Sequence, residues 1–215
     1  MSEPPRLIVR RLPGLQDYHQ TWVRMRDFTS NREARTLDEL WLLEHPSVYT
    51  LGQAGRAEHL LNIGAIPVVQ SDRGGQVTYH GPGQLIAYLL LDLRRCGLGV
   101  KRLVGLLEQS VIDLLARHEL EAEARPEAPG VYVRGAKIAS LGLRVRGGCC
   151  YHGLALNVAM DLEPFQRINP CGYPGLQVTQ LSDLIPGTTR EAAESWLIDA
   201  LSRCLRMTPC IEEGD

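Results

Sequence analysis

The sequence predicts a mixed α+β domain with one central sheet packed by helices, and three observations carry that expectation. Short runs of strand composition, several of them continuously apolar, lie between stretches of helical periodicity. A strand apolar on both faces needs cover on both, as when a sheet carries helices. The chain has 215 residues, 44% of them apolar, which suits one core and excludes wholesale disorder. A single domain over 1–215, with its core at about 22–208, is the organisation expected.

Leu15, Tyr18, Trp22, Met25 and Phe28 recur near helical spacing, predicting a first helix over roughly 15–32. Residues 39–44 are ambiguous between helix and strand until His45-Pro46 stops them, and 48–52 read as a strand entering a turn. Strands are expected at 66–70, 76–80 and 85–92. Val100, Leu103, Val104, Leu107, Val111, Leu114 and Leu115 then form the stripe of a second helix, opening after Gly97 and Gly99. Residues 121–129 are the only linker-like segment, and further strands follow at 131–134, 137–145 and 151–159. A third helix over about 191–205 is entered through a Thr188-x-x-Glu191 capping box. Its stripe of Ala193, Trp196, Leu197, Ala200, Leu201 and Cys204 puts the Cys204 thiol in the core.

A net charge of −2 with no basic stripe argues against a nucleic-acid partner, and Arg6, Arg10 and Arg11 are too few for an arm. The longest apolar run, 85–91, is too short to span a bilayer, and the start has no signal-peptide core, so a cytoplasmic protein is expected. The six cysteines are then free thiols. No Cys-x-x-Cys or His-x-x-x-His spacing is present, so no metal is expected.

Chemistry concentrates in three places. The first is Asn169-Pro170-Cys171-Gly172-Tyr173, where Pro170 fixes one backbone angle and Gly172 permits a sharp turn. Such a turn can hold a thiol at a pocket mouth. Lys137 sits among Ile, Ala and Leu, where an ammonium is poorly hydrated unless an anion meets it, and a thiolate would serve. A loop cysteine and a lysine snorkelling from a strand remain an open alternative. The second place, 73–84, has four glycines and a proline in twelve residues. Its glycines let a ligand lie against backbone N–H groups, with Arg73, Thr78 and His80 supplying polar contacts. It is neither a Walker loop nor a dinucleotide fingerprint, and a purely structural hairpin is the other reading. The third, 148–158, again joins His-Gly to an apolar strand. His152 alone reads as a satisfied core histidine, and Asn157 needs a polar partner if buried. Cys149 and Cys150 have no neighbouring cation and rank below Cys171 as nucleophiles.

Together these stretches, with 40–46, 135–142 and 167–175, resemble the lipoate-pathway octanoyltransferases over about 22–183. Cys150 departs from the pattern, standing where a small hydroxyl residue is expected. The resemblance implies a fold like the biotin/lipoate protein ligase catalytic domain. It also implies a reaction without cofactor: Cys171 would take an octanoyl group from octanoyl-acyl carrier protein as a thioester. A lysine of a lipoyl domain would then accept it as an amide; such domains belong to 2-oxoacid dehydrogenase complexes and to the glycine cleavage H protein. Lys137 would stabilise the thiolate and, when neutral, take a proton from the incoming amine. Ser140, Leu141 and Gly142, with Gly153, Leu154 and Ala155, would face the acyl group and the oxyanion. Arg73, Gly74, Gly75, Gln76, Val77, Thr78, Tyr79 and His80 would form the remaining wall.

The nearest rival is an ATP-dependent lipoate or biotin ligase on the same fold, which would adenylate a free acid and has no need of a Cys/Lys pair. A cysteine hydrolase would want a His-Asp or His-Asn pair behind the thiol. A non-catalytic domain binding acyl carrier protein is the third.

Overall fold

A computed structural model describes residues 4–213. Its layers follow from alternation along one fully buried strand, β6 (Gln84–Asp92). Leu85, Ala87, Leu89 and Leu91 point into one apolar cluster with Leu103, Leu107 and Val111 of α2 (Val100–Ala116) and Leu197 and Leu201 of α4 (Arg190–Leu205). Ile86, Tyr88 and Leu90 point the other way, against Met25 of α1 (Tyr18–Ser30), Trp41 and Tyr151. The sheet therefore has helices on both faces, as its apolar strands require.

Eight strands build this sheet in the order β11-β1-β2-β6-β10-β9-β8-β7. They are β1 (Arg6–Leu15), β2 (Asp38–Glu44), β7 (Glu123–Ala124), β8 (Gly130–Val133), β9 (Ala136–Arg146), β10 (Cys149–Asn157), β11 (Thr208–Glu213) and β6. The β1 strand runs parallel to β2 and β11, and the remaining pairs are antiparallel, so the sheet is mixed. A second, three-stranded sheet has the order β4-β3-β5, from β4 (Val68–Gln70), β3 (Val48–Leu51) and β5 (Val77–His80). Its own apolar cluster joins Tyr49, Val77 and Tyr79 to Phe165 and Ile168. A short helix, α3 (Leu181–Leu184), completes the set. Among the described residues no helix is long and apolar enough to cross a membrane.

Several sequence expectations need correction. Leu15 ends a strand and is exposed, and the first helix starts only at Tyr18, where Asp17 accepts from the Gln20 N–H at 2.8 Å. The β1 strand escapes the periodicity reading because its buried apolar run, Leu7-Ile8-Val9, is short and flanked by arginines; Arg10 pairs with Glu39 and Glu212 across both neighbours. Residues 39–44, ambiguous by pattern, are strand β2 between β1 and β6. The linker-like segment contains β7, and β11 was not expected. Thr189 rather than Thr188 caps α4, accepting from the Ala192 N–H, while the Thr188 hydroxyl donates to Ile185 O. Cys204 lies at the margin of its stripe, half-buried, with Sγ 3.6 Å from Asp113 Oδ2.

Candidate active site

Cys171 occupies a single 3-10 turn, Pro170–Gly172, and itself adopts the left-handed conformation (φ 56°, ψ 17°). An L-residue there costs about 1–2 kcal/mol, a strain often found at functional positions. The turn is tied down on its flanks. Asn169 N–H donates to His59 O at 2.9 Å, Gly172 N–H to Asn169 O at 2.9 Å, and the Tyr173 hydroxyl to Glu127 O at 2.7 Å.

Lys137 meets the thiol from the start of β9. Strands β8 and β9 lose register between Val131 and Tyr132, so Val131 pairs with Ala139 but Tyr132 with Lys137. This bulge places an extra residue, Ile138, opposite one step of β8 and re-aims the lysine. The other side of Lys137 is fixed by the 177–179 segment, through Lys137 N–H to Gln177 O (2.8 Å) and Thr179 N–H to Lys137 O (2.9 Å). The side chain is 2% exposed, and its Nζ donates to Cys171 Sγ at 2.9 Å and Pro129 O at 2.8 Å. No carboxylate forms an ion pair with it among the described residues. The sulfur and the Pro129 carbonyl are the hydrogen-bond partners of this amine.

Cys171 opens onto a cavity of about 750 Å³ lined by both sheets, α1 and α2. The structure brings nearly every predicted wall residue there: Arg73, Gly74, Gly75, Gln76, Val77, Thr78 and His80 from one side, and Ser140, Leu141, Gly142, Gly153, Leu154 and Ala155 from the other. Tyr79 does not line it. Strand alternation turns its ring into the small sheet's core, onto Phe165 and Tyr49, with its hydroxyl 2.9 Å from Ser47 Oγ. Gly142 has to be glycine, because a Cβ there would lie 2.9 Å from Gly74 O and 3.3 Å from Arg73 Cδ. The Arg73 guanidinium is buried and donates to neutral oxygens of Thr50, Gly74 and Gln76, with no carboxylate ion pair among the described residues. Burial lowers its pKa, and the Tyr18 hydroxyl and Cys171 thiol act against that.

Among the described residues, one buried side-chain nitrogen of the cavity lining lacks a partner. His152, 1% exposed, takes a left-handed φ of 63° that interrupts the pairing of β10 with β6 and turns its ring to the cavity. Its Nε2 lies 3.0 Å from Asp72 Oδ1, and its Nδ1 has no hydrogen bond. Burial alone would raise the Asp72 carboxyl, but hydrogen bonds from His152, Tyr151 and Trp22 outweigh it and hold the carboxyl at about 2. An ionised Asp72 only accepts, so Nε2 carries the proton and Nδ1 presents a bare lone pair. The expectation of a satisfied core histidine is thus half right. Asn157 is satisfied, by Gln84 Nε2 at 2.9 Å and Thr179 O at 2.9 Å. Sequence reasoning did not select Tyr18, Ile86, Tyr88, Val100 and Val104, which line the same cavity. They carry ordinary core periodicity, and nothing in their spacing separates lining from packing.

Three buried histidines make the protein acid-sensitive. Burial lowers His152, drives His80 well below 6.5, and brings His45 to about 4. A histidine depressed in the fold takes up its proton more readily when unfolded. Its stabilising contribution is therefore complete above about pH 6.5 and disappears as pH falls toward the folded value. For His45 alone the loss is on the order of 3 kcal/mol. Urea denaturation at pH 7.5, 6 and 4.5 should show the midpoint falling across this window; a flat profile would mean the three rings accept protons without cost.

A sequence profile of the lipoyl protein ligase A/B catalytic domain matches residues 17–202. An octanoyltransferase of Thiobacillus denitrificans is 62% identical over 201 residues, covering 94% of this chain and 92% of that one. One from Stutzerimonas stutzeri is 67% identical over 177 residues, covering 82% and 80%. Among solved structures, a bi-partite lipoate protein ligase from Thermoplasma acidophilum superposes with a TM-score of 0.78 at 15% identity, over all of this chain and 88% of that one, a likeness of fold. With the profile spanning most of its length and these relatives above 60% identity, the chain belongs to the octanoyltransferases of the lipoyl protein ligase A/B catalytic-domain family.

Proposed function

We propose that the chain moves an octanoyl group from octanoyl-acyl carrier protein to a lysine of lipoyl domains through a thioester on Cys171. The reading is carried by the 2.9 Å contact of Lys137 Nζ with Cys171 Sγ at the wall of a cavity large enough for a small ligand. In the first step the Cys171 thiolate attacks the donor's carbonyl carbon, the new C–S bond forms, and the carrier's thiolate leaves and takes a proton. In the second, the acceptor amine attacks the acyl-enzyme, loses a proton, and the Cys171 thiolate departs as the amide forms. One thioester replaces another at nearly equal free energy, and amide formation then drives the transfer without nucleotide.

Lys137 pairs with the Cys171 thiolate of the free enzyme; in the acyl-enzyme, where the sulfur is an uncharged thioester, the Lys137 amine once neutral takes the acceptor's proton. The open edge of β9 and the Gly153-Leu154-Ala155 stretch of β10 face the acyl group; β8 ends opposite Ser140, and beyond it Gly74 N–H donates to Leu143 O at 2.9 Å. The acceptors are the lipoyl domains of 2-oxoacid dehydrogenase complexes and the glycine cleavage H protein. A free nucleophilic thiol of this kind belongs in a reducing compartment, and we place the reaction in the cytoplasm.

The second reading is an ATP-dependent ligase, favoured by the fold it shares with the Thermoplasma acidophilum protein. Adenylation of a free acid gives the Cys171–Lys137 contact nothing to do. Octanoylation of a purified lipoyl domain by octanoyl-acyl carrier protein should proceed equally with and without ATP-Mg. Strict dependence on ATP would move the chain to the ligases.

A further inference from the structure

Besides Cys171 Sγ, Lys137 Nζ has a second partner, a peptide carbonyl, and that peptide is itself held. Pro129 O, which accepts from Nζ at 2.8 Å, and Gly130 N–H are the two ends of one peptide unit. The Gly130 N–H donates to Glu108 Oε1 at 2.9 Å. Glu108 lies on α2 one turn beyond Val104 and two beyond Val100, both of which line the cavity, so it continues the cavity-side face of that helix. Gly130 fits its place only as glycine: its φ is 145°, and a Cβ would lie 2.3 Å from Lys137 Cε and 2.6 Å from Ala139 O.

We propose that Glu108 is a positioning residue, whose carboxylate clamps the 129–130 peptide so that Pro129 O aims Lys137 Nζ at the Cys171 thiol. The proposal rests on the Cys171–Lys137 reading and deepens it. A peptide whose N–H donates to a carboxylate is polarised, and its carbonyl becomes a stronger acceptor for the ammonium. The chain entering Gly130 has few other ties: Tyr132 donates to Ala128 O at 2.7 Å and Tyr173 to Glu127 O at 2.7 Å, both before the peptide in question. The charged and titratable groups facing the amine are consistent with this role. Nζ lies 5.3 Å from the centroid of the Tyr132 ring, which the Arg125 guanidinium also approaches at 4.3 Å, and Arg73 faces the thiol from the 73–84 segment. Burial raises the Glu108 carboxyl, while the Gly130 N–H and the Lys137 charge oppose the rise. Glu108 therefore acts on the amine from behind, through the peptide.

The test compares Glu108→Ala with Glu108→Gln, reading the pH profile of Cys171 alkylation by iodoacetamide, kcat and KM for the lipoyl domain, and thermal melting. Glu108→Ala should lower kcat at neutral pH about tenfold, the loss of one charge-assisted hydrogen bond, with little change in KM. It should also move the alkylation profile to higher pH, in the direction of Lys137→Met. Glu108→Gln, whose amide oxygen accepts the same bond, should keep kcat within about threefold of the wild type. Should Glu108→Ala fail to fold, Glu108→Leu keeps the packed stem and removes the acceptor. If Lys137→Met moves the profile and neither acceptor-less Glu108 variant does, or if Gln is as damaging as Ala, the clamp is overturned and the Cys171–Lys137 pair stands. If Lys137→Met moves nothing, the pair falls and the clamp with it.

Discussion

Cys171→Ala should abolish the acyl-enzyme and lower transfer by roughly 10³-fold or more, as loss of a nucleophile does when no other group replaces it. Among the described residues Cys171 is the one cysteine that lines the cavity; Cys210 lies away from it on β11, beside Arg6. Burial pushes the Cys150 thiol up to about 12, and its Sγ donates to Leu89 O. Cys96 is pushed to the same range by burial, with Asp38 adding to it, and Cys204 is raised by burial and Asp113. Cys149 is buried in β10 and absent from the cavity lining. The substitution also leaves the fold intact, since alanine and cysteine bear the left-handed φ at 171 at similar cost. Intact-mass measurement after mixing with octanoyl-acyl carrier protein should show one octanoyl group on the wild type and on Cys149→Ala, Cys150→Ala and Cys204→Ala. It should show none on Cys171→Ala. Stable octanoyl on Cys149 or Cys150 of the native protein would overturn the assignment.

The parts of this site that the sequence announces are those where backbone chemistry departs from ordinary strand or helix. The Pro170 and Gly172 that flank Cys171, the Gly74-Gly75 pair and a lysine in an apolar run are local anomalies, and they lie at the cavity or at the thiol beside it; Gly81 and Gly83 of the same motif do not line the cavity. What periodicity hides is equally local in cause. The β1 strand has only three consecutive apolar residues, Leu7-Ile8-Val9, between arginines, and finds its partners far apart in the chain, one strand starting at Asp38 and one at Thr208. Tyr79 sits inside the densest motif yet faces away, because strand alternation within β5 sends neighbours to opposite sides. His152 and Glu108 illustrate a further limit. A left-handed histidine inside a strand, and a helix carboxylate reaching a backbone N–H in another element, follow from three-dimensional placement alone.

Lys137→Met should move the alkylation profile of Cys171 to higher pH and slow transfer at neutral pH, with the fold retained. A thiol without a charged neighbour is mostly protonated at neutral pH, and a neighbouring ammonium favours the thiolate. Methionine fills the slot between Gly130 and Tyr132 with similar length and no charge, and it gives up the hydrogen bond that Nζ donates to Pro129 O. Lys137→Arg separates the two roles assigned to the amine. It keeps the charge beside the sulfur but stays protonated, so it cannot take the proton from the acceptor lysine. The arginine variant should therefore load the octanoyl group and stall in its release to the lipoyl domain, whereas the methionine variant should be slow already in loading. The guanidinium is also bulkier than the space Gly130 leaves around Cε and Nζ, so some loss of thiol reactivity is expected with arginine as well. An unchanged alkylation profile and transfer rate in Lys137→Met would return this lysine to a packing role, and the 2.9 Å contact with it.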